Sequence, residues 1–258
     1  MTMRPRSWLS RFRRERGARE WSRVADGAAG LGAADRRSLQ PEAHALRQDL
    51  NRFLQITRPS VRLSQAALDA LPLPAGTDWQ WRPGFLSRPL SPSGMVSPEN
   101  GQVLGDQVTL WHDCAKRALI LRQLPNAEVT ALARYGMTLE VMGFTGGFLS
   151  LAVDLPADAM HGLSPAHVLR LETMLQPERP LPIYARLNIT HGPNTEGILR
   201  EIDMRGAGPQ VVEFDLAGIE LNENRLEKIW LDLIFEKPQM NAISIREFIV
   251  SRHPRANF

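Results

Sequence analysis

His112 and Cys114 stand two residues apart in "VTLWHDC", a spacing that on a strand turns both side chains to one face. A cysteine beside a histidine is the arrangement of an activated thiol nucleophile. The alternative is that Cys114 is a small buried side chain, the commoner use of a lone cysteine. In "THGPNTEG" (190–197), His191, Asn194 and Glu196 could line a sugar or calcium site at the end of a sheet; the same residues also make a good turn. In "TDWQWRPG" (77–84), Trp79 and Trp81 face one way if the segment is extended. Exposed, the rings would form a stacking platform for a sugar or a partner; buried, they would clamp the segment onto a core.

The N-terminus carries a different chemistry. Residues 1–23 hold eight arginines against Glu15 and Glu20, a local charge of +6, so the other 235 residues sum to −3 within an overall +3. Arg4, Arg6, Arg11, Arg13, Arg14 and Arg16 are interleaved with Trp8, Phe12 and Trp21. That mixture suits an acidic partner with apolar pockets; the alternative is a tail with no fixed partner. Phosphate binding rarely needs two tryptophans, whereas anchoring to a protein does, so nucleic acid is not the expected partner.

Other chemistry is excluded by what the sequence lacks. There is no GxSxG, P-loop, GxGxxG or HExxH, so no enzyme activity and no cofactor is expected. One cysteine allows neither an internal disulfide nor a thiolate zinc site, and no metal is expected. No stretch approaches the ~18 apolar residues of a membrane span. The Arg-rich start is followed by no apolar signal-peptide core, so the chain is expected to stay in the cytoplasm where it is made.

The elements that must position these residues fall into four parts. Residues 1–37 read as a basic arm with an Ala/Gly-rich flexible joint over 26–37. Residues 38–57 read as an amphipathic helix with Pro41 in its first turn. Its seam of Leu39, Leu46, Leu50 and Phe53 would pack on its own domain or on a neighbouring subunit. Residues 58–102 are proline-rich and read as an extended wrapping segment without regular structure.

From 103 to 258 strand signals arrive in series: 103–112, 117–123, 137–144, 147–154, 167–175, 182–191, 211–216, and two runs within 228–252. In the last pair Ile229, Leu231, Leu233 and Phe235 alternate, and Ile243, Ile245 and Ile249 resume after a turn. Such a series without helices between strands predicts a mainly β protein, an antiparallel β-sandwich or jelly roll with a helical and extended N-terminal arm.

"VTLWHDCAKRALILRQL", "LPIYARLNITHGPNTEGILREI" and "VVEFDLAGIELNENRLEKIWLDLIFEKPQMNAISIREFIVSRHPRA" resemble a family of alphaproteobacterial, Rhodobacter-like proteins over roughly residues 75–256. Most of that family has no assigned activity; the resemblance extends to the head-spike base protein of gene transfer agents, the phage-like particles of these bacteria. It implies a non-enzymatic adaptor at a capsid vertex, with capsid protein and a spike-fibre protein as partners. It also implies a homo-oligomer, a pentamer at a five-fold vertex, released as part of the particle. The residues alone also support a carbohydrate-binding β-sandwich module.

Overall fold

The computed structural model describes residues 8–57, 68, 71–126, 133–206 and 208–255, with the backbone alone for 8–11, 48 and 51–57. The chain divides into two compact units, Met1–Thr57 and Arg58–Phe258.

The first unit is helical: α1 spans Trp8–Asp26 and α2 spans Ala33–Thr57, with a 3-10 turn at Ala28–Gly30 between them. The expected joint over 26–37 therefore shrinks to a few residues bounded by Gly27 and Gly32. The alanines at 33 and 34 favour helix, and Asp35 adds an acidic group to its first turn. Helix α2 starts earlier than Ser38, and Pro41 lies inside it rather than in its first turn. No described side chain of this unit is buried. Trp21, Val24, Leu31, Leu39 and Ala43 are half-buried around a cavity of about 390 Å³, whereas Phe12, Leu46 and Leu50 are exposed. Arg13, Arg14 and Arg16 point to solvent; Arg4 and Arg6 lie outside the described residues, and for Trp8, Arg11 and Phe53 only the backbone is described. Neither helix is long and apolar enough to cross a membrane.

The second unit is an antiparallel β-sandwich. Its strands are β1 (Trp79–Trp81), β2 (Gly94–Val96), β3 (Gln102–Leu104), β4 (Val108–His112), β5 (Leu119–Pro125), β6 (Tyr135–Val141), β7 (Leu149–Asp154), β8 (His167–Pro177), β9 (Ile183–His191), β10 (Asn194–Glu201), β11 (Gln210–Asp215), β12 (Leu226–Phe235) and β13 (Asn241–Pro254). One sheet runs β11-β8-β13-β6-β5-β2, with β1 added alongside β13. The other runs β10-β9-β12-β7-β4-β3. Inward side chains from both, including Leu110, Leu151, Leu187, Leu231, Leu233, Phe214, Ile243 and Phe248, form one core.

The wrapping segment expected over 58–102 is more regular than its prolines suggested. It supplies β1, β2 and a helical turn, α3 (Gly84–Ser87), because the prolines fall between these short pieces and remove no ladder donor. The expected strand 103–112 is two strands, β3 and β4, paired as a hairpin around a turn in which Gly105 takes φ +71°.

The two apolar faces of β13 have one cause. Its pairing with β8 shifts register between Ile245 and Glu247, a bulge that reverses the strand's phase. Ile243 and Ile245 face the core before it, Phe248 and Val250 after it. Glu247 is thereby aimed at Arg82, which donates to both carboxylate oxygens at 2.7 and 2.8 Å. Burial pushes the Glu247 carboxyl up, against the opposing pull of Arg82.

Candidate functional site

His112 and Cys114 do not pair. The His112 ring accepts the Cys114 backbone N–H at Nδ1 (3.2 Å), which leaves Nε2–H to donate to the Pro98 carbonyl (3.1 Å). The Cys114 sulfur instead lies 3.8 Å from the Thr145 hydroxyl and accepts the Thr145 N–H at 3.5 Å. Burial raises the thiol's pKa, but these contacts and the N–H groups of Lys116 and Arg117 outweigh it and leave it below the ordinary value. Among the described residues no group of three or more His, Cys, Asp or Glu side chains could hold a metal.

The other sequence-derived candidates are scattered. Trp79 and Trp81 form β1, half-buried and packed against the core in the seven-stranded sheet. His191, Asn194 and Glu196 belong to the β9–β10 hairpin of the other sheet. Its two-residue turn has Gly192 at φ +60°, the value a type II′ hairpin needs at its first position. "THGPNTEG" is thus a hairpin whose second half is strand, not an open ligand loop. His191 is buried, Asn194 is exposed and Glu196 is half-buried.

A site that the motifs did not reveal lies on the outer face of the six-stranded sheet. Thr109, Trp111, Phe148, Ser150, Ala152, Asp154, Arg186, Lys228, Trp230 and Asp232 line a groove of about 420 Å³. Period-two alternation places them. On β12 the residues at 229, 231, 233 and 235 enter the core, so Lys228, Trp230 and Asp232 turn outward. A register shift between Leu226 and Lys228 sets this phase. On β7 Ser150, Ala152 and Asp154 share the outer face, and on β4 Thr109 and Trp111 do.

The register assembles rows across the sheet. Trp111 pairs with Ser150, and Ser150 with Ile234. Thr109, Ala152, Asp232 and Arg186 make the next row, and Asp154, Trp230 and Asn188 the third. Small side chains at Ser150 and Ala152 form the floor, both buried although on an outer face, because larger neighbours overhang them. Trp111 and Trp230 stand diagonally, two strands and four residues apart, on the order of 16 Å by ordinary sheet spacings.

The aromatic walls are held in place. Trp111 is 43% exposed, and its ring leans on Gly101. A Cβ there would come within 2.9 Å of the ring, on a backbone with φ +76°. Phe148 is 46% exposed and is presented by a loop pinned to Asp113. The Asp113 carboxylate accepts the Gly147 N–H at 2.8 and 3.0 Å and the Phe148 N–H at 3.1 Å. Those bonds hold its pKa below the usual carboxylate value. Gly146 allows this approach, since a Cβ there would fall 2.2 Å from the Asp113 carboxylate.

Two ion pairs supply the polar walls. Asp232, with a side chain only 4% exposed, accepts at Oδ2 from Arg186 Nη2 (2.8 Å), Arg186 Nε (3.1 Å) and Asn188 Nδ2 (3.0 Å). Lys228 meets Asp154 at 2.9 Å and lies 5.3 Å from the centre of the Trp230 ring. Flat aromatic faces around a small-residue floor, with fixed donors and acceptors beside them, can hold a ligand that is apolar on its faces and hydroxylated at its edges. The signal for this site was a large aromatic in the solvent phase of an amphipathic strand, Trp111 between buried Leu110 and His112, and Trp230 between Ile229 and Leu231.

Several solved structures are similar to this chain at the level of a β-sandwich. The carbohydrate-binding module TmCBM61, solved with β-1,4-galactotriose, is 17% identical at a TM-score of 0.34, covering 66% of this chain and 98% of that one. The family 11 carbohydrate-binding module from Clostridium thermocellum, solved with a β-1,3-1,4-mixed-linked tetrasaccharide, is 8% identical at 0.31, covering 61% and 94%. The enzymatically active domain of bacteriophage CBA120 tailspike protein 4 is 8% identical at 0.40, covering 58% of this chain but only 20% of its own. No curated protein matches the sequence. The model of a family of unknown function, DUF6478, matches residues 1–258, and the chain belongs to that family.

Proposed function

We propose that the sandwich is a non-enzymatic carbohydrate-binding module whose ligand lies across the groove between Trp111, Phe148 and Trp230. The observation that carries this reading is the pair of exposed aromatic rings, each braced by a dedicated contact, beside a floor of Ser150 and Ala152. Large rings exposed and held rigid are ready to bind, because little side-chain entropy is lost when a ligand arrives. The test is a glycan array followed by calorimetry on the full chain, with the Trp111→Ala protein as control. Binding to no glycan would overturn the reading, as would undiminished binding by the variant. A turnover activity lost in folded Cys114→Ala protein would overturn its non-enzymatic part.

A second reading concerns the helical unit, and the observation favouring it is that no described side chain there is buried while α1 is rich in arginine. Two helices with no described buried side chain between them gain little from packing by themselves and suit docking to another surface. In this reading Arg4, Arg6, Trp8, Arg11, Phe12, Arg13, Arg14, Arg16 and Trp21 anchor the chain to an acidic shell protein of a phage-like particle. The sandwich then binds glycan, or joins a spike fibre, at a capsid vertex, as an oligomer matching the vertex symmetry. Particles sedimented with protein lacking residues 1–23 test this: loss of co-sedimentation supports it, and co-sedimentation at the wild-type ratio overturns it.

A further inference from the structure

We infer that the glycan held in the groove is electrically neutral, an inference that rests on the carbohydrate-binding reading and narrows its ligand class. Both cations lining the groove are already paired with a carboxylate of the same groove, Arg186 with Asp232 and Lys228 with Asp154. The same holds in a polar pocket of about 440 Å³ lined in part by Gly101, the residue on which the Trp111 ring leans. There Arg117 pairs with Glu99 at 3.2 Å.

The Arg186 pair is the most costly to disturb. Asp232 is almost wholly shielded from water, and all of its described hydrogen bonds converge on one oxygen. A uronate or sulfate that drew Arg186 away would leave that carboxylate buried without its cation. Releasing Lys228 is easier because both partners are partly exposed, but it would also remove the cation lying against Trp230. Beside this surface Glu201, registered with Tyr184, contributes one further carboxylate. An anionic sugar therefore meets carboxylates at each point where it would seek a cation, whereas hydroxyl groups can bond to the paired charges without separating them.

The experiment is calorimetric titration of the full chain with matched oligosaccharides, neutral and acidic: galacto- and gluco-oligosaccharides against oligogalacturonate, oligoglucuronate and sulfated galactan. The expected result is binding of a neutral member with its acidic counterpart weaker by about tenfold or more. Equal or tighter binding of an acidic glycan would overturn the inference while leaving the carbohydrate reading intact. Binding of neither class would overturn both. Asp154→Asn frees Lys228 and should narrow the neutral-to-acidic affinity ratio by about fivefold, because the lysine gains an unshared charge. An unchanged ratio in folded variant protein would overturn charge pairing as the source of the preference.

Discussion

The two sheets use their tryptophans in opposite ways. In the seven-stranded sheet Trp79 and Trp81 sit two apart on one short strand and pack against the core. Arg252 bonded to Asp78 and Arg82 bonded to Glu247 fasten the neighbouring residues. In the six-stranded sheet Trp111 and Trp230 come from separate strands and face outward around a shallow groove. Spacing along the chain thus says little about whether rings form a platform. Their phase relative to the buried alternation decides it. A tryptophan in phase with the core closes the sandwich, and one out of phase is left to meet something else.

The largest effect should come from crossing the two phases on one strand. Leu233 is fully buried, so Leu233→Asp should unfold the sandwich, since an unpaired buried carboxylate costs several kcal/mol. Circular dichroism and thermal melting check this, and a soluble protein with the wild-type melt would refute the assigned phase. Next in size are the tryptophan pairs. Trp111→Ala with Trp230→Ala should weaken glycan binding by about 100-fold, as expected of two ring contacts acting as hot spots, with little change in Tm. Trp79→Ala with Trp81→Ala should do the reverse. It should cost about 3 kcal/mol of stability, a drop in Tm of roughly 6–12 °C for a domain of this size, with affinity retained. If both pairs behave alike, the distinction between the sheets fails.

The sequence made the sandwich readable because one-face burial leaves an alternating imprint, clearest in β12 and in β13 on either side of its bulge. What it concealed has specific causes. Strands β1 and β2 are three residues long and lie among prolines, too short for a period to register. Strand β10, "NTEGILRE", is largely polar because it lies at the sheet's edge and, among the described strands, pairs only with β9. The groove was hidden for a different reason. Trp111, Ser150 and Trp230 line one groove because β7 runs between β4 and β12, and strand order is a long-range outcome that no local pattern encodes. Short motifs drew attention to His112–Cys114 and to 190–197, where the chemistry-bearing residues turn out to bond to backbone or to form a hairpin.

A smaller effect should follow from Gly146→Ala, which tests whether the groove's aromatic wall is held by its loop. The new Cβ would collide with the Asp113 carboxylate and approach the Cys114 nitrogen and the Phe144 ring, each at 2.9 Å. The loop must shift, which should cost about 1–2 kcal/mol of stability by overpacking. Phe148 should move with it and weaken glycan binding by about fivefold. Chemical denaturation and calorimetry on the same preparation separate the two effects. Lost stability with unchanged affinity would remove Phe148 from the site.

The smallest effect concerns Asp113 and acid. Its carboxylate receives the Gly147 and Phe148 N–H groups, which lower its pKa in the folded protein relative to the unfolded chain. A depressed carboxylate contributes order that is fully present above its unfolded value and is lost as pH falls through its folded value. The loop should therefore stay pinned throughout neutral and mildly acidic conditions and loosen only below about pH 4, where ordinary aspartates protonate. Among the described residues no histidine lines the groove. Glycan affinity should accordingly be flat from about pH 8 to pH 5 and should fall only as the solution becomes strongly acidic. Asp113→Asn keeps an oxygen acceptor but loses the charge assistance, so it should weaken binding by about threefold at neutral pH and abolish the acid-dependent part of the decline. A step in affinity between pH 6 and 7, as near the ordinary histidine pKa of about 6.5, would show that a group outside the groove controls the site. A wild-type acid profile in the Asp113→Asn protein would show that the pinned loop does not.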